Sequence, residues 1–237
     1  MSTTEIDIDK PQLRRAWSLI DEAFRRHGLC VRRESDFEKA DRLSKENGLV
    51  GFEANFIVGL HTFTNCQAFW LGLFDRQGQC VGRVGARLDQ MKPPMTLADF
   101  WKRHVFRCYP SAEGGGVKMA SDQPRFGNNI SGNVVYLGGA EIHEDWQGKK
   151  LGGLLVQMAQ IEALDEWQAD FVYGWMESWK FKDGFWRDCG FTHAYPRGLR
   201  WDGAGPVSID ENLIVAGNSA ADILDLIDHI VHSRTPA

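Results

Sequence analysis

Glu144-Asp145-Trp146-Gln147-Gly148-Lys149-Lys150-Leu151-Gly152-Gly153-Leu154-Leu155 is the stretch on which the fold turns. Before it, Val134 to His143 (V-V-Y-L-G-G-A-E-I-H) reads as a strand. After it, Leu151, Leu154, Leu155, Met158, Ile161, Ala163 and Leu164 give a helix over about 149–167 a broad apolar face. A strand ends, glycines let the backbone turn tightly, and a helix begins at once. The first N–H groups of such a helix have no intrahelical partner and point outward at its positive end. That arrangement suits a pyrophosphate. Gly148 and Gly152 would permit close approach, while Lys149 and Lys150 would add charge at the rim. The rival reading on physics alone is a tight connection that holds nothing. Neither G-x-x-x-x-G-K-[ST] nor G-x-G-x-x-G is present.

Working outward, the clearest β signal is Ala68 to Asp75 and Cys80 to Asp89 around Arg76-Gln77-Gly78-Gln79, an antiparallel hairpin. Arg83 and Arg87 share one face of its second strand. They read as salt-bridged strand residues rather than substrate ligands. Apolar spacing predicts a helix over 11–27, stopped by Gly28, and a second, polar one over 35–47. Residues 49–63 are apolar without a decisive period. The stretch 90–133 breaks the rhythm, with Pro93-Pro94, Gly114 to Gly116 and a short helix over 97–106. A connection this long inside a compact domain reads as an insertion or lid. A strand over 171–176, a short helix over 182–189, one or two strands within 191–201 and a tail helix over 220–231 complete the order. Together they predict one mixed α/β domain over 1–237, with its C-terminal helix inside 218–237.

The chain has 237 residues, within the range of one large domain, and 43% of them are hydrophobic, enough for a sizeable core. A net charge of −5 argues against a general nucleic-acid binder, which would show a basic excess. Five cysteines without C-x-x-C spacing, and a polar acidic start (M-S-T-T-E-I-D-I-D-K), predict reduced thiols, no secretory leader and a cytoplasmic setting. No apolar run approaches bilayer length, so no membrane partner is expected. Self-association as a homodimer stays open. No metal is expected, because His143 and His193 lack ligand-spaced neighbours.

The turn resembles motif A of the GNAT superfamily, [QR]-x-x-G-x-[GA] after a strand. Gln147, Leu151 and Gly152 match, with Gly153-Leu154-Leu155 as the helix entry, but the pattern's first glycine is Lys150 here. Phe185-Trp186-Arg187-Asp188-Cys189-Gly190-Phe191 is similar to the family's F-Y-x-x-x-G-F element, with Trp186 at the tyrosine's place. The resemblance covers about 68–192. It implies a mostly antiparallel, splayed sheet flanked by helices, with an insertion before the motif A strand. It also implies acetyl-CoA as co-substrate, its pantetheine arm lying like an extra strand beside Ile142, His143 and Glu144. Its pyrophosphate would sit on Gln147, Gly148, Lys149, Lys150, Leu151, Gly152 and Gly153.

For such a reaction an amine must lose a proton and a thiolate must leave. The family's donor is often the tyrosine that Trp186 replaces, so Tyr136 is the first substitute and Tyr195 the second. Glu141 and His143 are the candidate bases, alternating along the strand with Ala140 and Ile142. For each of these a structural role is the competing reading. Trp175, Trp179, Trp186 and Trp201 read as core or as an aromatic pocket wall. Cys189 has no nearby base in sequence, so no covalent cysteine step is expected. Two rivals remain: transfer of a longer acyl chain from CoA or an acyl carrier protein, and a non-catalytic acyl-CoA-binding module. The acceptor, a primary amine on a small molecule or a protein, carries no motif.

Overall fold

The computed structural model describes residues 8–61, 64, 66–111 and 113–234. The polar start over 1–7, residues 62, 63, 65 and 112, and the tail's last three residues lie outside them. Chain order gives α1 (Lys10–Arg26), β1 (Cys30–Glu34), α2 (Phe37–Glu46), β2 (Ala68–Phe74), β3 (Cys80–Met91) and α3 (Leu97–Cys108). There follow β4 (Gly132–Ile142), α4 (Leu151–Trp167), β5 (Phe171–Met176), α5 (Ser178–Lys182), α6 (Phe185–Asp188), β6 (His193–Tyr195), β7 (Ile214–Ser219) and α7 (Ala220–Arg234). No described helix is long and apolar enough to cross a membrane.

The strands form one sheet in the order β1-β2-β3-β4-β5-β7-β6. Every neighbouring pair is antiparallel except β4 and β5, which α4 connects as a crossover. Both sheet faces are covered. On one, α4 packs with α1 and α7 over Leu71, Val84, Val135 and Val172. Enclosure by its neighbours explains why α4 is buried on most of its surface. On the other face, α2, α3 and the loops gather Phe37, Phe56, Trp101, Tyr136 and Tyr173 into a second core. Each such large apolar side chain, fully buried, contributes about 1.5–3 kcal/mol of transfer free energy. The stretch 90–133 is thus built into the sheet's second face, with Leu97, Trp101 and Val105 inaccessible.

Two features of β4 position the site. Its pairing with β5 covers only Val134↔Phe171 to Leu137↔Gly174, after which the strands part. Its pairing with β3 slips by one residue between Gly85↔Gly138 and Arg83↔Glu141, a β-bulge with Gly139 at φ 61°. The extra residue inverts the alternation of faces. Tyr136 and Glu141, of opposite parity, both turn to the α2 side, while Leu137, Ala140 and Ile142 pack on the α4 side.

Strands β1 and β7 were not legible, and the helix expected over 182–189 is confined to α6, separated by Gly184 at φ 81° from an earlier short helix, α5. The strand considered over 198–201 is reduced to a single bridge, Met119↔Trp201.

Candidate active site

Helix α4 begins unlike its predecessors. Asp9 and Asp36 accept from backbone N–H groups in the first turns of α1 and α2, and Thr96 and Asp99 form a capping box on α3. No side chain caps α4, and its first turn holds no acid. Its N-cap is Lys150 at φ 58°, a left-handed conformation that glycine adopts without strain, and Gly148 precedes it at φ 77°. Lys150 therefore holds a conformation that favours glycine, the residue the resemblance puts at this place. Gln147 Nε2 donates to Ile142 O at 3.0 Å and pins the turn to the end of β4.

A groove of about 660 Å³ opens at this N-terminus. Of the residues expected to hold the cofactor, Ile142 from the pantetheine set and Gln147, Gly148, Lys150, Leu151, Gly152 and Gly153 from the phosphate set line it. His143, Glu144 and Lys149 are not among its lining residues. His143 N donates to Val81 O at 2.9 Å, and its Nδ1 accepts from Asp145 N at 3.4 Å, so its ring serves the turn. Glu144 is exposed, and Lys149 Nζ donates to Asp145 O at 3.1 Å, above the Trp146 ring. Gly153 has a packing reason to lack a side chain, since a Cβ there would lie 2.5 Å from Asp188 O.

Where β4 and β5 part, a second cavity of about 250 Å³ runs inward between Leu137–Ala140 and Gly174–Glu177. Ala140, Lys180 and Phe185 line both spaces, so groove and cleft adjoin. At the cleft wall stands Glu53, which no sequence reading singled out. Its Oε1 accepts from Tyr136 Oη at 2.6 Å, and the backbone of Gly139 at the bulge also favours its charged form. A Cβ on Gly138 would lie 1.8 Å from Glu53 Oε1, so the bulge glycines make room for this carboxyl. Burial raises the Glu53 carboxyl above the usual carboxylate range, against the pull of Tyr136, Arg83 and Arg87.

Tyr136 is 1% exposed, and burial with the neighbouring Glu53 pushes its phenol well above the ordinary value. It lines neither cavity and reaches the cleft through Glu53. Glu141 is engaged elsewhere: it binds Arg83 Nη2 at 2.9 Å and accepts from Val50 N at 3.0 Å. Arg83 is buried and also donates to Ser44 Oγ, Gly139 O and Val50 O, holding the segment before Glu53 against β4. Arg87 is bound twice to Asp89 and donates to Asn55 O at 2.6 Å.

Among the tryptophans, Trp175 lines the cleft and Trp179 the groove. The Trp175 Nε1 is buried with no hydrogen-bond partner among the described residues. Trp186 stacks on Phe181 at 5.5 Å and lines neither space, whereas Phe185 lines both. Cys189 lies at the cleft, but burial lifts its thiol well above the ordinary value, which leaves it inert.

A parting β4/β5 pair, in an otherwise antiparallel sheet, followed by an uncapped glycine turn is the architecture that the resemblance implies. The fold is GNAT-like. No family model matches the sequence, and neither does any curated protein. Similar solved structures include NAA60 of Arabidopsis thaliana in complex with acetyl-CoA, at 11% identity over 81% of this chain and 98% of that one, TM-score 0.46. Another is the spermidine/spermine N-acetyltransferase SpeG of Vibrio cholerae in mutant forms, at 11% identity over 84% and 98%, TM-score 0.45. A third is a GNAT-family acetyltransferase of Streptococcus pneumoniae, at 12% identity over 81% and 99%, TM-score 0.43. At such identities and scores these likenesses say nothing of what the GNAT-like chain acts on.

Proposed function

We propose that the chain is an acetyl-CoA-dependent N-acetyltransferase that acts on a primary amine. The observation that carries this reading is that the α4 groove and the β4/β5 cleft share a wall at Ala140, Lys180 and Phe185, with Glu53 lining the cleft. The groove fits a diphosphate: uncapped N–H groups, two left-handed residues, and Lys150 at its edge. Beyond Leu137 and Gly174 the facing strand edges have parted, and an extended pantetheine can hydrogen-bond there as a strand would.

The thioester supplies an acyl group already activated for attack, so the protein's work is positioning and proton transfer. A free alkylamine has a pKa of about 10 and must arrive at the carbonyl deprotonated. Glu53 is the base in this reading. As the C–N bond forms and the C–S bond breaks, the nitrogen's proton passes to the Glu53 carboxylate, and the thiolate leaves to take a proton from solvent. A carboxyl with a raised pKa is a stronger base when ionised, which suits work nearer neutrality. Tyr136 orients Glu53 rather than donating to the leaving group, because a fully buried phenol with an elevated pKa is a poor acid. Glu141 holds the Glu53 segment in place through Arg83. A backbone N–H of the β4 edge stabilises the oxyanion, an effect of a few kcal/mol in general. The cleft's volume of about 250 Å³ favours a short acyl group over a long chain.

Calorimetry with acetyl-CoA and CoA, then thiol release across polyamines, amino acids and peptide N-termini, tests the reading. Binding with turnover on one amine class supports it. Absence of any CoA binding overturns it, and tight binding without turnover on any amine supports the non-catalytic module instead.

A further inference from the structure

On the α3 side of the sheet, outside the cleft, three side chains meet that the mechanism does not use. His104 and Cys108 lie one turn apart on α3, so they share a face of that helix. His61 comes from the segment that follows Glu53. Cys108 Sγ is 3.4 Å from His104 Nε2 and 3.5 Å from His61 Nε2, and all three atoms lie within 4.8 Å of one another. We propose that His61, His104 and Cys108 form a zinc site.

The spacing is the first argument. An ion about 2.3 Å from sulfur and about 2.0–2.1 Å from each nitrogen, in a tetrahedral array, holds sulfur and nitrogen roughly 3.6 Å apart. Both observed sulfur–nitrogen separations already match that spacing. Ligand chemistry is the second: one thiolate and two imidazoles form a borderline-soft set, which suits zinc better than magnesium or calcium. Hydrogen-bond accounting is the third. His104 Nε2 faces the donor Arg87 Nη2 at 3.1 Å and the acceptor Asn55 Oδ1 at 3.3 Å, and one ring nitrogen cannot satisfy both. With zinc on that nitrogen, Arg87 keeps its two bonds to Asp89 and its bond to Asn55 O. Asn55 Oδ1 is then within reach of the fourth corner. The Arg87 charge is balanced by Asp89, and a thiolate offsets part of the ion's own. His61 Nε2 lies 2.8 Å from Ala54 O, so zinc on that nitrogen takes the tautomer protonated at Nδ1, while Cys108 binds only as the thiolate and gives up its proton. Uptake therefore weakens as pH falls.

Such a site would tie 54–61 to α3 and brace the adjoining Glu53. The test uses tag-free, full-length protein stripped by chelator and titrated with cobalt(II) and then zinc(II) under reducing conditions. The expected result is one ion per chain, with a cobalt–thiolate charge-transfer band and ligand-field bands of tetrahedral intensity. Cys108→Ser should abolish that band and weaken zinc by more than the roughly 10–100-fold typical of losing an outer-shell partner. His61→Ala, at a less enclosed position, should lower zinc affinity in a chain whose circular dichroism is unchanged. Cys66→Ser, at an exposed position, should alter neither. Failure of the parent protein to retain stoichiometric zinc or show the band overturns the proposal. Loss of the band in Cys66→Ser with its persistence in Cys108→Ser overturns it equally.

Discussion

The Tyr136 hydroxyl donates to Glu53 Oε1 at 2.6 Å, a contact that spans 83 residues of sequence and stands at the wall of the cleft. It links the strand carrying the bulge to a loop that no periodicity marked, and the predicted chemistry depends on it.

Glu53→Gln should lower kcat by about 10²- to 10⁴-fold, the usual worth of a general base, while leaving acetyl-CoA affinity intact. In Tyr136→Phe the carboxylate loses a hydrogen bond that pulls its pKa down. The acid limb of the kcat/KM profile should therefore move to higher pH. A profile that stays in place would remove Glu53 from the base's role.

Stability should carry the same signature. Burial raises the folded-state Glu53 pKa above its unfolded value. Its contribution is fully present below the unfolded value and is lost as pH rises through the folded one. Glu53→Gln cannot ionise, so its Tm should climb relative to the parent across that window and converge with it in acid. Thermal melts at a series of pH values would show a constant offset if the carboxyl were unperturbed.

Gly152 and Gly153 should fail in different ways. Gly152→Asp sets a carboxylate on the groove and should raise the CoA Kd at least tenfold, about 1.4 kcal/mol. Gly153→Ala must push α6 away, because its Cβ would lie 2.5 Å from Asp188 O. Overpacking of that kind costs about 1–3 kcal/mol, read by denaturant unfolding. Equal CoA affinities in Gly152→Asp and the parent would displace the phosphate site.

Lys150→Gly should stabilise the fold. A left-handed L-residue costs roughly 1–2 kcal/mol, partly offset by glycine's extra unfolded-state freedom, for a net gain of about 0.5–1 kcal/mol. A lower Tm would show that the Lys150–Asp188 pair, at 3.2 Å, outweighs the backbone term.

The strand-turn-helix over 134–167 was legible because glycines, a strand end and a helical apolar face coincide there. So was the hairpin over 68–89. Strand β1 was hidden by Arg32 and Arg33, whose charged heads fit no strand alternation, and β7 by its shortness before the α7 pattern. Period two placed Glu141 opposite Ala140 and Ile142, but the bulge at Gly139, which sets Tyr136 on the Glu141 side, leaves no mark in the alternation. Glu53 and His61 lay in the aperiodic stretch 49–63, where nothing local announces a role. His104 and Cys108 did carry a signal, the one-turn spacing on a helix, but their third partner is distant in sequence.

Only four residue pairs join β4 to β5, against nine between β3 and β4. The sheet is therefore hinged near Val134 and gapes toward Ala140, with compliance concentrated in one seam. Whatever lodges in that seam sets the opening angle between β1–β4 and β5–β7. Occupancy should then be felt mechanically at α4, the helix that straddles both halves.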